Sequence, residues 1–208
     1  MPLNALDVFV NCPFDVAYKP IFNAIVFTVI RSGYRVRCAL ETDDTSDNRF
    51  AKICAIIGEC KLGIHDISRT EADGDPPLPR FNMPLELGVF LGAKRFGAAG
   101  QKGKACIVFD RERYRFQRFI SDIAGQDIRT HGGDVPTLIR ELAAWLRTQP
   151  GGLQAGGGQA IAAEYADFEA ALPAICAGLR LRIDELEFGD FNAIVTGYVQ
   201  RLTSGPAT

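Results

Sequence analysis

Short apolar runs alternate with helix-length segments through the first half of the chain, and this alternation limits the possible folds more than any other feature. Four apolar runs predict strands, at residues 8–11, 34–40, 62–67 and 105–109. Three segments between them have the apolar spacing of helices, at residues 20–32, 49–60 and 82–94. Strands separated by helices in this order form a parallel sheet with helices on both faces. We therefore predict a flavodoxin-like three-layer α/β/α fold with a mainly parallel sheet.

The chain after the fourth strand is mainly helical in composition. Three elements are predicted before residue 150: a helix at 113–123, a very short strand at 127–129 and a helix at 135–147. Residues 150–158 contain five glycines and predict a flexible linker or loop. Residues 160–181 and 191–202 predict two more helices. This pattern divides the chain into an α/β domain (1–149), the linker, and a helical appendage (159–208) that caps the sheet or forms a dimer.

Length and charge exclude several broad classes of protein. A chain of 208 residues is long enough for one domain with an appendage. The formal net charge of −2 provides no overall field that would hold nucleic acid or an anionic membrane. The longest apolar run, residues 20–30, is too short to span a membrane, and the N-terminus lacks the pattern of a signal peptide. We expect a cytoplasmic protein that does not bind membranes.

The sequence lacks the motifs of the best-known nucleotide and hydrolase sites. No GxGxxG follows the first strand and no P-loop motif occurs, which argues against hydride transfer and P-loop phosphate hydrolysis. The two histidines, His65 and His131, are not accompanied by a Ser or Cys in a nucleophile-elbow sequence. The six cysteines form no CxxC pair, so we expect reduced thiols, with no metal site and no cofactor. Carboxylates remain as the candidate catalytic groups.

Ligands bind to an open parallel sheet beyond the carboxyl ends of its strands, where the connecting loops meet. The candidate binding residues therefore follow the predicted strands. They are Asn11, Phe14, Asp15 and Tyr18 after the first strand, Asp66 and Ser68 after the third, and Arg80 and Asn82 before the next helix. An aromatic side chain of the first group would stack on a base, and Asp15 would bind ribose hydroxyls. His65 points to the opposite face of its strand from Asp66 and is predicted to be structural.

The string from Leu78 to Ala93 is the most specific in the chain. Asn82 is predicted to cap the helix, and Pro84 suits its first turn. Glu86 lies close to the predicted helix start, where the backbone dipole favours an ionised carboxylate. Glu86 is therefore expected to be charged at neutral pH.

Glu86-Leu87-Gly88 at the start of this helix, preceded by Asp66 at the end of a strand, resembles the superfamily of nucleoside 2-deoxyribosyltransferases and of the Toll/interleukin-1 receptor (TIR) domains that cleave NAD. The resemblance covers roughly residues 7–110. It implies that Glu86 acts as nucleophile or oxocarbenium stabiliser at an N-glycosidic bond of NAD or a related nucleotide or nucleoside. It also implies that Asp66 is the strand-end carboxylate of the transferases, and that the protein forms a homo-oligomer. Arg80 and Asn82 stand where the transferases commonly have an acidic residue.

Two other functions remain open on the sequence alone. A TIR-like domain without catalysis would act as a nucleotide sensor or as a protein-interaction domain. Residues 94–118 carry eight basic and two acidic residues with interleaved aromatics, a composition that also occurs in proteins that bind nucleic acid. Phe116 and Phe119 keep helical register with Ile120, however, so we predict that they belong to the core and that the arginines lie on a solvated face. Nucleic-acid binding is therefore the less favoured alternative.

Overall fold

Five parallel strands form the centre of the protein, as the alternation of apolar runs predicts. The computed structural model describes residues 3–41, 46, 48–73, 78–152 and 156–204. Its strands are β1 (Asn4–Asn11), β2 (Arg35–Arg37), β3 (Cys60–Asp66), β4 (Ala72–Asp73), β5 (Leu78–Pro79), β6 (Ala105–Asp110) and β7 (Arg129–Thr130). The order across the main sheet is β2-β1-β3-β6-β7, that of a flavodoxin-like doubly wound sheet, while β4 and β5 form a separate antiparallel pair. The predicted fold class is confirmed.

Helices cover both faces of the main sheet. They are α1 (Lys19–Arg31), α2 (Arg49–Glu59), α3 (Asn82–Phe96), α4 (Val135–Arg147), α5 (Gly158–Leu179) and α6 (Phe188–Ser204). On one face, Phe9 of β1 belongs to a buried cluster with Ile57 of α2 and Phe90 of α3. On the other face, Val8 and Val10 of β1 belong to a larger cluster with α1 and α4. Because neighbouring residues of a strand point to opposite faces, the apolar run 8–10 in β1 contributes to both clusters.

Gly63 of β3 allows α3 to approach the sheet closely. A Cβ atom on Gly63 would lie 2.8 Å from the ring of Phe90 and 2.8 Å from Nε2 of His65. Both rings are completely buried, so neither has space to move. The missing side chain is therefore part of what sets the position of α3 on this face.

The C-terminal helices pack within the same chain. α5 lies against α1 and α4, and α6 lies against α1. The ring centres of Phe27 in α1 and Phe168 in α5 are 5.3 Å apart, and both side chains are fully buried. Arg31 donates two hydrogen bonds to Glu164, at 2.6 and 2.9 Å. Residues 153–155 of the predicted linker lie outside the described residues, and the homo-oligomer stays a prediction.

The helix predicted at residues 113–123 is wrong. The structure has two short 3₁₀ turns there instead, Arg115–Arg118 and Ser121–Ile123. Tyr114 has a φ of 62°, and Ile120 also leaves the helical region, with φ −146° and ψ 61°. A continuous α-helix cannot include these backbone conformations.

Tertiary contacts of Arg115 explain this break. Its guanidinium donates to the carboxylate of Asp110 at 2.7 Å and to the carbonyl oxygen of Ile67 at 2.7 Å. Arg115 is therefore largely buried rather than on a solvated face as predicted. Phe116 is in the core as predicted, but Phe119 is 40% exposed, so that part of the core prediction is wrong.

Two further expectations are that the chain does not bind membranes and that its cysteines are reduced. Across the described residues, we find no helix that combines the length and the hydropathy needed to cross a membrane. All six cysteines are unpaired, and four of them are buried.

Phe168→Ala tests the packing of the appendage on α1. Because Phe168 is fully buried among aromatic rings, we expect its truncation to lower the free energy of unfolding by about 3 to 5 kcal/mol. Leu179→Ala in the same helix, where the side chain is 56% exposed, is the control and should cost less than about 1 kcal/mol. Urea unfolding measures both, and equal losses for the two variants would contradict the packing described.

Candidate functional site

A completely buried carboxylate lies at the carboxyl end of β3. The side chain of Asp66 accepts a short hydrogen bond from the hydroxyl of Tyr18 and a 2.8 Å hydrogen bond from the backbone N–H of Ser68. Nε2 of His131 lies 3.0 Å from Oδ2 of Asp66, although its N–H is not aligned for a hydrogen bond. These three groups come from the residue before α1, from the second residue after β3, and from the residue after β7. Asp66 therefore joins three separate connections of the sheet.

The donors around Asp66 keep it ionised. Burial by itself raises the pKa of this carboxyl, but the contacts of His131, Ser68 and Tyr18 outweigh burial and hold the pKa below its usual value. Burial and the charge of Asp66 in turn raise the pKa of Tyr18, so its phenol stays protonated and donates. The Asp66 carboxylate is therefore a fixed anion, and the Tyr18 hydroxyl is its fixed donor.

His131 was not predicted as a site residue. Its Nδ1 accepts a 2.9 Å hydrogen bond from the backbone N–H of Gly133, which turns Nε2 of the ring toward Asp66. Gly132 and Gly133 both have positive φ, 60° and 80°, and shape the turn that brings the ring inward. His131 directly follows β7, so the rule that selected residues after the first strands would have selected it after the last one.

A cleft of about 510 Å³ lies next to Asp66, and we call it the Asp66 cleft. Its lining includes Tyr18, Ser68, Arg69, Glu71, Arg111 and His131. These residues follow β1, β3, β6 and β7. The strand order reverses between β1 and β3. This is the place where open α/β sheets bind their ligands. Its volume is in the range of small-molecule sites.

Asp15 connects the β1–α1 loop to the chain after β3. Its carboxylate lies 3.2 Å from the guanidinium of Arg69 and accepts a 2.9 Å hydrogen bond from Arg80. It also accepts a 3.0 Å hydrogen bond from the backbone N–H of Tyr18. Asp15 and Arg80, both predicted to bind substrate, therefore form an ion pair with each other. Arg69 also contacts Asp15, and it lines the Asp66 cleft.

Asn11 fixes the start of α3. Its buried side chain donates a 2.8 Å hydrogen bond to the carbonyl oxygen of Met83 and lies 3.0 Å from Nδ1 of His65. His65 packs against the rings of Phe9 and Phe90, and burial lowers its pKa to about 3, so it stays neutral. Asn11 and His65 position α3 from within the fold and do not reach the Asp66 cleft.

The pKa of the Glu86 carboxyl differs from the prediction. Burial raises its pKa to about 7, and the charge of Arg49 lowers the pKa only in part. The expectation of a fully charged Glu86 at neutral pH is wrong: the helix begins at Asn82 as predicted, but burial of the carboxyl outweighs the effect of the helix start. The predicted cap by Asn82 is also wrong: Phe81 precedes the helix, and no side chain caps it.

The carboxylates of the predicted site surround the end of β1. The negative charges of Asp66, Glu86 and Asp15 each add to the effect of burial in raising the pKa of the Cys12 thiol. Cys12 is therefore a protonated thiol, and all three carboxylates lie within electrostatic range of it. Glu86, however, is not one of the described residues that line the Asp66 cleft; it approaches the same edge from α3.

The remaining predicted residues lie outside this group. Phe14 packs edge to face on Phe22, with ring centres 5.2 Å apart, and lines a groove beside the C-terminal helices. Asn82 is exposed at the first position of α3. The structure thus brings Tyr18, Asp66 and Ser68 together at the Asp66 cleft and places Asn11 and Glu86 nearby. Asp15 is linked to this cleft through Arg69 and pairs with Arg80, and it also lines the groove that contains Phe14.

The fold and the site together define a doubly wound α/β protein with a carboxylate-containing cleft where its strand order reverses. No protein-family model matches the chain, and no curated protein matches it.

Glu86→Gln tests the state of this carboxyl through stability. Between the ordinary pKa of 4.5 and the raised pKa of about 7, the folded protein binds more protons than the unfolded chain, so the free energy of unfolding falls as the pH rises. Glutamine at position 86 does not ionise, so the free energy of unfolding of the variant does not fall for this reason as the pH rises. We expect the variant to be more stable than wild type by about 1 to 2 kcal/mol at pH 8, the partial exposure of Glu86 being allowed for, and equally stable at pH 4.

The control for this measurement is Glu141→Gln. Glu141 is partly exposed and lies 3.5 Å from Arg129, a surface pair that contributes little. Denaturant unfolding of the three proteins at both pH values gives the comparison. A Glu86→Gln protein that is less stable than wild type at pH 8 would show that Glu86 is an ordinary ionised carboxylate.

Proposed function

We propose that the protein binds NAD or a related nucleotide at the carboxyl edge of its sheet. It would cleave the N-glycosidic bond, releasing the base, or transfer the ribosyl group to an acceptor, with Glu86 acting at the anomeric carbon. The observation that carries the proposal is a pair of carboxyl groups with opposite properties around the end of β1. Asp66 has a lowered pKa, and Glu86 has a pKa raised to about 7. Glycosidic bonds are typically cleaved by carboxyl groups, and here Glu86 is the candidate for that role because Asp66 is enclosed by its own contacts.

The Asp66 cleft supports a phosphorylated ligand. Arg69 and Arg111 line it, and guanidinium groups bind phosphate oxygens through paired hydrogen bonds. Asp66 lies beneath the surface of the cleft and holds Tyr18 and His131 in place. Asp66 is therefore a positioning residue in this proposal, and the arginines bind the ligand.

Glu86 supplies the reactive carboxylate. When the bond from C1′ of the ribose to the nitrogen of the base breaks, its electron pair leaves with the base, and positive charge develops on C1′. The ionised carboxylate of Glu86 stabilises that charge or forms a covalent bond to C1′. Water, or an acceptor in a transfer, then adds to C1′ and releases one proton, and the Glu86 carboxylate leaves where it had formed a covalent bond. For NAD, nicotinamide leaves as a neutral molecule without needing a proton.

A second candidate is a nucleotide sensor that does not cleave its ligand. The position of Glu86 favours it, since Glu86 does not line the Asp66 cleft. In a sensor, the ligand would occupy this cleft and leave the N-glycosidic bond intact. Both candidates require nucleotide binding, and only the first requires release of a base.

Glu86→Gln also separates the two candidates. We expect wild type to release a free base from NAD or a related nucleotide, and its activity to rise with pH through about 7 as Glu86 ionises. The variant keeps the shape of the side chain but not its charge, so its rate should fall by about a hundredfold or more. Chromatography of the released base measures both proteins, with Glu141→Gln as the control.

Two results would contradict the catalytic role of Glu86. The first is a folded Glu86→Gln variant with wild-type activity. The second is nucleotide binding by wild type without release of any base, which would establish the sensor instead.

A further inference from the structure

We propose that the loop between β6 and β7, together with Phe81, binds single-stranded nucleic acid. This inference goes beyond the proposed function and does not depend on it. The surface includes a cleft of about 460 Å³, which we call the Phe119 cleft. The lining of this cleft includes Phe81, Arg111, Arg115, Arg118 and Phe119. Arg113 and Tyr114, which precede Arg115 in the same loop, are also exposed and complete the surface.

Two findings favour nucleic-acid binding over what the sequence indicates. Residues 113–123 do not form the predicted helix, and Phe119 is 40% exposed instead of lying in the core. The basic run 94–118 is also divided by the sheet. Lys104 is buried directly before β6, whereas Arg113 and Arg118 are exposed after it. Arginines and an exposed aromatic ring therefore share one loop at the carboxyl edge of the sheet.

Three exposed aromatic rings offer surfaces on which bases can stack. Phe81 is 64% exposed and Tyr114 is 62% exposed, in addition to Phe119. The guanidinium of Arg113 lies 5.8 Å from the ring centre of Tyr114, and that of Arg115 lies 4.9 Å from the ring centre of Phe119. A base stacked on either ring would therefore have a guanidinium nearby. Aromatic rings interleaved with arginines are the combination that binds single strands without requiring a particular sequence.

The backbone displays Tyr114 at an energetic cost. Its φ of 62° and ψ of 4° lie in the left-handed region, which is unfavourable for a tyrosine. The next residue, Arg115, is held by the carboxylate of Asp110 and by the carbonyl oxygen of Ile67, so the loop is anchored directly after the strained position. Strain of this kind, maintained by the surrounding structure, is typical of functional positions.

Two arginines of this surface are available to phosphate groups. Arg111 and Arg115 each form an ion pair with a carboxylate at 2.6 Å. Within the part of the chain that the structure describes, Arg113 and Arg118 form no ion pair with a carboxylate. An acidic peptide would also use these two charges, but its carboxylates cannot stack on the three rings. Single-stranded nucleic acid uses both the charges and the rings.

Fluorescence anisotropy of the full chain with labelled dodecanucleotides tests the inference. The probes are single-stranded oligothymidylate and oligouridylate, a DNA duplex of the same length and a poly-glutamate peptide. We expect one of the single strands to bind at least tenfold more tightly than the duplex or the peptide, because only the single strands can stack their bases on the rings. The preference between the two single strands shows whether the surface selects DNA or RNA.

Tyr114→Asn separates stacking from folding. Asparagine adopts the left-handed conformation more readily than tyrosine, so the variant should unfold thermally at the same temperature as wild type or at a higher one. Its affinity for the single strand should fall about tenfold, the size of one base stacking interaction. Phe96→Leu, which changes an exposed ring at the end of α3, is the matched control and should leave the affinity unchanged.

The salt dependence of binding tests the arginines. Each phosphate contact with a single strand contributes about 0.7 to the slope of log affinity against log salt concentration. Combining Arg113→Gln with Arg118→Gln should therefore reduce the slope by about 1.4. Arg95→Gln, which removes an exposed charge at the end of α3, should leave the slope unchanged.

Three results would overturn the inference. The first is the absence of binding to either single strand. The second is binding of poly-glutamate or of the duplex as tightly as the better single strand. The third is a folded Tyr114→Asn variant that binds the single strand like wild type. None of these results affects the proposed function, because release of a base from a nucleotide is measured separately and uses neither Tyr114 nor Arg118.

Discussion

A carboxylate that is completely removed from solvent must be surrounded by donors, and at Asp66 this requirement organises the carboxyl edge of the sheet. The hydroxyl of Tyr18 and the backbone N–H of Ser68 donate hydrogen bonds to Asp66, and Nε2 of His131 lies 3.0 Å from its carboxylate. The loops after β1, β3 and β7 are thereby drawn to one point, and the cleft forms between them. Since each of these groups is fixed within the fold, the cleft exists before any ligand enters it.

A second set of contacts positions α3 relative to the end of β1 and the face of β3. Asn11 holds the carbonyl oxygen of Met83, and Gly63 lets Phe90 approach the sheet, so the position of Glu86 follows from the end of β1 and from the surface of β3. Burial in this position raises the pKa of Glu86 and costs stability above the ordinary pKa of a glutamate. Such a cost is typical of functional sites, where stability is given up for reactivity.

The main elements could be predicted because their patterns are local. The apolar run at Val8 and Val10 and the all-round apolar α1 predict a buried parallel sheet, and the residues after β1 and β3 were found by position alone. The break in the helix at Arg115 depends on Asp110 and Ile67, and no local pattern indicates it. The raised pKa of Glu86 likewise depends on burial by distant elements, whereas a strand-end rule applied to β7 would have identified His131.

We propose that a nucleotide binds at the carboxyl ends of β1 and β3 with its anomeric carbon next to Glu86. A crystal structure of the wild-type protein with the carbocyclic analogue of NAD tests this most directly. We expect the phosphates at Arg111 and the ring carbon that corresponds to C1′ within contact distance of the Glu86 carboxylate. A nucleotide bound elsewhere, for example in the groove that Phe14 lines, would contradict this placement.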